Sequence, residues 1–553
     1  MVWLCACGAA PYKRSDSCRV SRNVRRSLPF FFFSSPPQNM SLLRRRLATV
    51  VKDPPLLRIT VAGGGIAGCI LASQLAGEPG VRVNVYEQRC ADELPAGLNL
   101  LLNHNGMAAL RDSDQELEAA VRGRGHDVVG WSARTMAGRI LYDLENVQAE
   151  GLADLNGVMA RWDEVNAVCQ RAAWSRISWG HKCTGYDYVT RGADAGVCAR
   201  LSGEGDTVEA DLLVGADGRY SAVREHMEGG KLPEPRFGPI ATFRTAVAED
   251  ALPREHRGLV AHIQDCMRVY NTPDVRSVEP GGRYARALGE DDEFVKHCMR
   301  GLARAGVLRI RPPPLADGTL NSSEGSRLGV WGNVTLPPSC RIPEAAKTAE
   351  GFDALFTPRE GVEALEGIGK LVHHVLTHHA ADAHWVRQQE TDQRIVDDGG
   401  RVLLVGDSAG AIYPSLGQGA NLAIEDACQA AAVLKIFVRE ARAAGACRID
   451  VPAATHAIAS LRAPRRNAVA SISREHTFHF AASPRGGDFA LAADAADWLG
   501  TDGGHFESGV WRARLRELWS GWQSIAVTEA AVTDKARRAA RALAQPDRTP
   551  THM

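Results

Sequence analysis

The chain has 553 residues, of which 65 are basic and 65 acidic, so its formal net charge is zero. This length allows two or more units that each bury a core. The balanced charge provides no field that favours nucleic acid, and no run of about 18 apolar residues predicts a membrane span. Thirteen cysteines without a CxxC pair indicate reduced thiols in an intracellular protein.

The first 52 residues are strongly basic, and Asp16 is their only acid. They are also rich in serine and contain the run Phe30 to Phe33. This composition is typical of an organellar transit peptide. The open alternatives are a disordered extension and a true start at Met40. We therefore expect residues 1–56 to be a leader or extension, and the protein to be cytoplasmic or mitochondrial.

The first motif follows a predicted strand over residues 58–62, which is rich in β-branched residues. A GxGxxG pattern comes directly after it, formed by Gly63, Gly65 and Gly68. In dinucleotide sites the first glycine permits a tight turn, the second lets a pyrophosphate approach, and the third lets helix pack on strand. The alternative is a glycine-rich turn that binds no ligand.

The residues after these glycines continue the same pattern. A helix is predicted over 66–76 and a second strand over 81–86, which ends at Glu87. That carboxylate lies 19 residues after Gly68, where a ribose 2′-OH acceptor is expected. The helix N-terminus is aimed at the phosphates. The segment therefore predicts a site for the ADP half of a dinucleotide.

The second motif is an apolar strand that ends in a carboxylate at a glycine turn, Gly215-Ala216-Asp217-Gly218. Ser221 and Arg224 follow on a predicted helix. A carboxylate in this position can present acceptors to a cofactor. The alternative is an ordinary capping aspartate.

The third motif repeats this arrangement. A buried-type strand over 402–405 ends at Gly406-Asp407, and a loop with Gly417 and Gly419 leads into a helix predicted over 420–437. Asp407 can accept hydrogen bonds from a polyol. The start of the helix provides positive partial charge.

Taken together, the three motifs resemble those of the FAD-dependent aromatic hydroxylases, the single-component flavoprotein monooxygenases, in their salicylate-hydroxylase-like and fungal phenol-hydroxylase branch. The resemblance covers about 57–225 and 400–475. It implies that the first motif binds the ADP half of FAD, the second contacts the pyrophosphate region and NAD(P)H, and the third binds the ribityl chain. The cofactor-binding residues that it implies are Gly63, Gly65, Ala67, Gly68, Glu87, Ala96, Gly97, Arg161, Asp217, Gly406, Asp407, Gly417, Gly419 and Ala420.

The same resemblance implies a reaction. NAD(P)H reduces FAD, and O₂ then forms a flavin C4a-hydroperoxide that hydroxylates an aromatic or phenol-like small molecule. No second GxGxxG follows a strand, which favours NAD(P)H binding without a Rossmann domain of its own. Arg244 and Tyr270 resemble substrate-site residues of the family, and an Arg offers a fixed fork for a phenolate or carboxylate. The alternatives are a solvent-facing Arg and a half-buried core Tyr.

Two departures from the family pattern keep other functions open. Gly410 stands where the family usually has a His, four residues before Pro414, and the region from about 276 to 338 matches poorly. The alternatives are a flavin-dependent halogenase, whose WxWxIP signature the chain lacks, and a non-catalytic flavin-binding paralogue. Five histidines lie between 373 and 384, with His374 and His378 at i,i+4. No HExxH pattern or spaced Cys accompanies them, so we predict a solvated helix face and no metal.

We therefore predict an α/β protein with a discontinuous, Rossmann-like FAD-binding domain over 57–232 and 396–440. An inserted β-sheet substrate domain spans 233–395, with strands over 240–247 and 259–270 and a helix over 361–385. A helical C-terminal region spans 441–553.

Overall fold

The structure is a computed structural model. It describes residues 54–91, 99–128, 130–135, 140–143, 157–191, 194–202, 206–260, 263, 266–271, 303–310, 325–335, 342, 344–356, 367–481 and 517–544. The strands within these ranges form four sheets.

The nucleotide-binding sheet consists of β1 (Leu57–Ala62), β2 (Val81–Glu87), β8 (Ile177–Trp179), β12 (Leu212–Gly215) and β18 (Val402–Leu404). The strands are all parallel and lie in the order β18-β12-β1-β2-β8. Every residue of β12 and β18 is buried, as expected of a parallel sheet covered on both faces. Because β18 comes from much later in the chain, two separate parts of the sequence build this sheet.

Three helices share the core of this unit, namely α1 (Ile66–Leu75), α4 (Trp162–Ala173) and α9 (Gly419–Ala443). Nine of the ten residues of α1 are buried, as are 18 of the 25 residues of α9. Helix α9 is rich in alanine, which has a high helix propensity and a small volume, and α1 contains the small residues Ala67, Gly68 and Ala72. Small side chains let α1 and α9 pack closely at the carboxyl edge of the sheet.

Two small antiparallel sheets flank this unit. One consists of β9 (Cys183–Arg191), β10 (Asp194–Leu201) and β11 (Thr207–Ala210). The other consists of β3 (Asn99–Leu102), β4 (Gly125–Val128) and β7 (Gly157–Arg161). The remaining helices here are α2 (His104–Ser113), α3 (Gln115–Arg122) and α5 (Ala222–Met227).

The inserted region contributes most of a second large sheet. Its strands are β5 (Gly130–Thr135), β6 (Ile140–Asp143), β13 (Arg236–Ala248), β14 (Cys266–Asn271), β15 (Ala303–Ile310), β16 (Arg327–Thr335) and β17 (His384–Glu390). They lie in the order β17-β13-β16-β15-β14-β5-β6. The helices in this region are α6 (Arg254–Val260), α7 (Ala349–Phe356) and α8 (Ile368–His378).

These helices cover one face of the second sheet with an aromatic core. The ring of Phe243 on β13 lies edge-on to Phe352 and Phe356, with centroid distances of 4.9 and 5.5 Å. Such edge-to-face pairs add to the stabilisation from burial. Because side chains alternate along a strand, the neighbours of Phe243 on β13 project from the opposite face.

The C-terminal part contributes α10 (Val451–Ala481) and α11 (Ile525–Ala544). Helix α11 packs along α9, where Gln429 donates to the hydroxyl of Thr528 at 3.0 Å in a buried bond. None of the helices in the described ranges is both long and apolar enough to cross a membrane.

The predicted fold class is confirmed, but two element predictions were wrong. Residues 259 and 260 end helix α6, and the strand begins only at Cys266. The helix predicted over 361–385 ends at His378, and Trp385 lies in β17, 5.0 Å from the ring of Phe243. A cross-strand aromatic contact outweighs local helical pattern there, since strand formation depends on packing with neighbours.

Candidate active site

The three sequence motifs meet at one edge of the nucleotide-binding sheet. Strands β1, β12 and β18 are adjacent and parallel, so their carboxyl ends lie side by side. Gly63, Asp217 and Asp407 follow these ends directly or within two to three residues. In open α/β sheets, ligands bind at this edge.

The first glycine loop lies against the backbone of the second motif. Gly63 has a φ of +104°, and a Cβ built on it would lie 2.4 Å from the carbonyl oxygen of Ala216. A Cβ on Gly68 would lie 2.1 Å from the carbonyl oxygen of Gly63. Packing within the protein therefore requires both glycines, and the backbone conformation requires the first as well.

Gly65 differs from its neighbours because the space beside it is open. Its φ of −79° and ψ of −173° suit any residue, and nothing lies within 4 Å of a Cβ built on it. It begins α1, which has no side-chain cap and no acid in its first turn among the described residues. Free N–H groups at a helix start carry positive partial charge. This geometry fits a pyrophosphate.

Glu87 at the end of β2 holds the glycine loop. Its Oε2 accepts from the N–H of Gly64 at 2.7 Å, and its Oε1 accepts from the N–H and Nε of Arg89, both at 2.9 Å. Burial alone would raise the pKa of Glu87, but the bonds and charge of Arg89 and the bond from Gly64 hold it below its ordinary value. The carboxylate is therefore ionised beside the loop. Its contact with a ribose stays a prediction.

Gln170 on α4 is a loop contact that the sequence analysis missed. Its Nε2 donates to the carbonyl oxygen of Gly64 at 3.0 Å, and its side chain is buried. Glu87 and Gln170 thus bind the N–H and the C=O of Gly64, which belong to successive peptide groups. A glutamine in a helix carries no local signal for such a contact.

Asp217 has a structural contact in addition to its predicted cofactor role. Its Oδ2 accepts from the N–H of Ala222 at 2.8 Å and of Val223 at 3.3 Å, at the start of α5. Ser221 caps the same helix by accepting from the N–H of Arg224 at 2.9 Å. Burial raises the pKa of Asp217. The capping alternative is therefore present in the structure, and the contact with FAD stays a prediction.

The third motif lies directly against the first. A Cβ built on Gly406, whose φ is +64°, would lie 3.6 Å from the Cβ of Ala67 at the start of α1. Asp407 is half-buried. Burial raises its pKa, and the positive charges of Arg219 and Arg466 oppose that shift. The carboxylate of Asp407 thus lies at the shared edge, and Arg219, just after the second motif, is close enough to lower its pKa.

A buried cluster of charges behind the third motif was also missed by the sequence analysis. Asp426 on α9 accepts from the N–H of Gly406 at 2.9 Å, from Nε of Arg462 at 2.8 Å, and from Arg466. Arg466 donates to the carbonyl oxygens of Gly406 and Gly410 at 3.0 and 2.7 Å. The guanidinium of Arg466 therefore sets the path of the loop that carries Asp407. Two adjacent acids in the buried half of α9, Glu425 and Asp426, were the available signal.

Gly410, which replaces the usual histidine of the family, has no room for a side chain here. Its φ is +144°, and a Cβ built on it would lie 2.5 Å from Nε2 of Gln393 and 2.8 Å from the carbonyl oxygen of Asp392. The glycine at position 410, where the family usually has a histidine, therefore suits the packing around it. Arg466 binds the Gly410 carbonyl from the other side.

Helix α9 begins at the end of this loop. Gly417 has a φ of +65°, Gly419 is the first residue of the helix, and Ala420 is buried in its first turn. The first turn of α9 has no acid, and no side chain of the described residues caps it. Its positive partial charge is therefore available to stabilise negative charge at the predicted flavin edge.

Arg244 and Tyr270 lie on the second sheet but not on adjacent strands. Arg244 is only 7% exposed, so the solvent-facing alternative was wrong. Tyr270 pairs with Ala305, whose partner Gly332 pairs with Phe243. Tyr270 is thus level with Phe243, the residue before Arg244, three strands away and about 14 Å across the sheet. The side chain of Tyr270 lies outside the described part of the structure.

The family follows from a sequence comparison. A model of the family described as "FAD binding domain" matches residues 57–261 and 323–447, more than half of the chain. The chain belongs to this family. Its relatives are FAD-dependent aromatic hydroxylases, so the predicted family, the FAD cofactor and the monooxygenase class are confirmed.

Two relatives and one solved structure illustrate the likeness. The chain is 27% identical over 439 residues to the 3-amino-4-hydroxybenzoate 2-monooxygenase PtnB3 of Streptomyces platensis, covering 77% of this chain and 90% of that protein. It is 27% identical over 392 residues to a kynurenine 3-monooxygenase of Salinispora arenicola, covering 67% and 70%. Klebsiella pneumoniae HpxO, solved with FAD and uric acid, has a TM-score of 0.59 at 17% identity, covering 83% and 97%.

The residues at the carboxyl edge of the nucleotide-binding sheet fit FAD. The space beside Gly65 is open. The uncapped starts of α1 and α9 supply N–H donors, and the half-buried Asp407 supplies an acceptor, along one edge of the sheet. Ala96 and Gly97 lie outside the described residues. Arg161 ends β7 and pairs with Asp163, whose Oδ1 accepts from its Nε at 3.1 Å. A contact between Arg161 and FAD stays a prediction.

Two of the five predicted histidines, His374 and His378, stack on a partly exposed face of α8. The ring of His374 lies 4.0 Å from that of His378 and 4.6 Å from that of His256 on α6. Burial, with the charges of His378 and His256, lowers the pKa of His374 to about 4. Within the described ranges, no group of three or more ligating side chains is placed to hold a metal ion.

Proposed function

We propose that this FAD-dependent hydroxylase uses NAD(P)H and O₂ to hydroxylate an aromatic small molecule. The observation that carries the proposal is the meeting of three motifs at one sheet edge, where α1 and α9, both with uncapped starts, lie against Gly406. FAD, when bound, supplies the activation of O₂ with electrons from NAD(P)H.

The residues of the edge have separate roles in this proposal. The N–H groups at the start of α1 bind the pyrophosphate beside Gly65. Asp407 accepts from the ribityl hydroxyls, and Glu87 accepts from the ribose. The start of α9 stabilises negative charge that develops on the flavin ring. Asp217 and Arg161 complete the contacts of the cofactor.

Arg244 is proposed to hold the acidic group of the substrate, with Tyr270 on the same sheet. Arg244 is buried on the face of β13 opposite the aromatic core, and its guanidinium offers a planar fork that matches a carboxylate. Its positive charge also helps burial to lower the pKa of His384, its cross-strand partner. The relatives are named for an aminohydroxybenzoate and for kynurenine, both of which carry a carboxylate.

The halogenase alternative is not favoured. The chain lacks WxWxIP, and the named relatives are monooxygenases.

We also propose the domain division given by the sequence analysis, with the FAD unit interrupted by residues 233–395. We also propose a cytoplasmic or mitochondrial location, and a fluorescent fusion with and without residues 1–39 distinguishes the two.

The experiment is reconstitution followed by turnover. Purified protein is loaded with FAD, its visible spectrum recorded, and NAD(P)H oxidation followed with a panel of phenols and aminobenzoates, with product analysis. We expect stoichiometric FAD and oxidation stimulated by at least one aromatic. Protein that cannot retain FAD, or that holds FAD but never oxidises NAD(P)H, contradicts the proposal. Arg244→Ala should lose product formation at unchanged FAD content, and Arg244→Lys should retain part of it.

A further inference from the structure

Three buried polar residues on the second sheet form a chain of hydrogen bonds, here called the amide relay. Gln388 on β17 donates from Nε2 to Oγ1 of Thr242 on β13 at 2.9 Å, and Thr242 donates to Oδ1 of Asn333 on β16 at 2.9 Å. Their exposed fractions are 1%, 1% and 0%. The relay therefore joins three adjacent strands away from solvent.

The hydroxyl in the middle of the relay sets the polarity of its ends. Thr242 donates its one proton to Asn333 and accepts from Gln388. The relay therefore ends in one free N–H₂ donor, Nδ2 of Asn333, and one free carbonyl acceptor, Oε1 of Gln388.

Both ends are buried and have no hydrogen-bond partner in the described part of the chain. Buried polar atoms are nearly always satisfied, because an unpaired one costs the free energy of its desolvation. Two such atoms of opposite character at the ends of one relay indicate that a bound molecule supplies their partners. The bonds keep these ends within about 10 Å of each other, a span that one aromatic acid can cover.

The relay lies close to the cofactor edge. Thr242 is two residues from Arg244, so both side chains project from the same face of β13, opposite Phe243 and its aromatic core. Gln388 stands three residues before Thr391, whose N–H donates to the carbonyl oxygen of Ala411 at 3.0 Å. At about 3.3 Å per residue, Gln388 is about 10 Å from the loop that joins Asp407 to α9.

We propose that the amide relay is the part of the substrate site that selects aromatic compounds carrying both a hydrogen-bond donor and an acceptor, such as an amine beside a phenol oxygen. The substrate amine donates to Gln388, and the oxygen accepts from Asn333. Arg244, on the same face, holds the acidic group. The inference rests on the proposed function, since it places this sheet face in the hydroxylation site.

Binding of a matched set of compounds tests the relay. Calorimetry with the FAD-loaded protein compares 3-amino-4-hydroxybenzoate with 4-hydroxybenzoate and 3-aminobenzoate, each of which lacks one group. We expect the first to bind about tenfold or more tightly than either analogue, because each analogue leaves a buried end unpaired. Equal affinities, or no binding of the first compound, would overturn the proposal.

Variants at the relay provide the second measurement. Thr242→Val removes the hydroxyl at similar volume, and Thr242→Ser retains it as the matched control. We expect the Val variant to lose the preference to within about twofold and the Ser variant to keep it, with FAD content unchanged in both. A Val variant that keeps the full preference refutes the relay.

If Thr242→Val fails to fold, Gln388→Met tests the acceptor end alone. It should abolish discrimination against 4-hydroxybenzoate, which lacks the amine, while discrimination against 3-aminobenzoate persists. NAD(P)H oxidation is measured separately. If no aromatic stimulates oxidation, the proposed function fails, whereas calorimetric binding still decides whether the relay selects its ligand.

Discussion

Two glycines of one loop should respond oppositely to the same substitution. A Cβ on Gly63 would lie 2.4 to 2.9 Å from three backbone atoms of Ala216 and Asp217, and its φ of +104° suits glycine alone. A Cβ on Gly65 would meet nothing within 4 Å, and its φ of −79° suits alanine. Gly63→Ala should therefore damage the protein itself, and Gly65→Ala should damage only the binding of FAD.

The magnitudes follow from these geometries. Backbone strain and overpacking of fixed backbone atoms together should cost Gly63→Ala about 2–5 kcal/mol of unfolding free energy. Gly65→Ala should change the stability of the FAD-free protein by less than about 1 kcal/mol, with a tendency to stabilise, because alanine restricts the unfolded chain. Its methyl group occupies the space proposed for the pyrophosphate. A clash of about 1–3 kcal/mol corresponds to FAD binding weakened by about 5- to 150-fold.

Urea unfolding of the FAD-free proteins measures the first effect, and titration of flavin fluorescence measures the second. Gly77→Ala serves as a control, because nothing lies within 4 Å of its Cβ and it is remote from the edge. A Gly65→Ala protein that binds FAD like the wild type would show that the pyrophosphate does not lie at Gly65. A Gly63→Ala protein of unchanged stability would refute the packing argument.

Three further outcomes are expected. Asp407→Ala should weaken FAD binding at least about tenfold with little change in the stability of the FAD-free protein. Asp407→Asn should keep part of the affinity. Flavin titration measures both, and unchanged affinity in both variants refutes the ribityl assignment. Asp426→Asn should lower the unfolding free energy by about 3 kcal/mol or more, since it leaves buried guanidinium charge uncompensated. The control Asp398→Asn, at an exposed ion pair, should change it by less than about 0.5 kcal/mol. Equal changes in urea unfolding would contradict the role of the buried cluster. As the pH falls from 6.5 to about 4, His374 takes up a proton in the unfolded chain but not in the folded protein, so the unfolding free energy falls through this window. His374→Gln should flatten that part of the pH profile measured by urea unfolding. An unchanged profile would show that His374 does not cause the loss of stability.

The FAD edge was predictable because each of its parts is encoded locally. The spacing of Gly63, Gly65 and Gly68 reports on a turn, and apolar runs that end in Asp217 or Asp407 report on strand ends. Parallel pairing then brings these ends together. Their assignment to parts of FAD rests on the family resemblance and stays a prediction.

The contacts that shape the site could not be predicted, because their partners are remote in sequence. Arg466 binds the Gly406 carbonyl across 60 positions, and Thr242 binds Asn333 across 91. A polar residue in an apolar element indicates that a partner exists but does not identify it. Arg244 shows the same limit, since composition favours an exposed arginine and only the strand pairing buries it.

The late arrival of β18 has a consequence for biosynthesis. Ser408, just after β18, donates to the carbonyl oxygen of Gly215 on β12 across 193 positions. During translation, β12 therefore waits with an unpaired edge until a further 187 residues, from Gly215 to Val402, have been made. Exposed strand edges template aggregation, and distant parallel pairing forms slowly. The closing of this sheet edge, and with it the assembly of all three motifs, thus depends on one late event, the insertion of a three-residue strand.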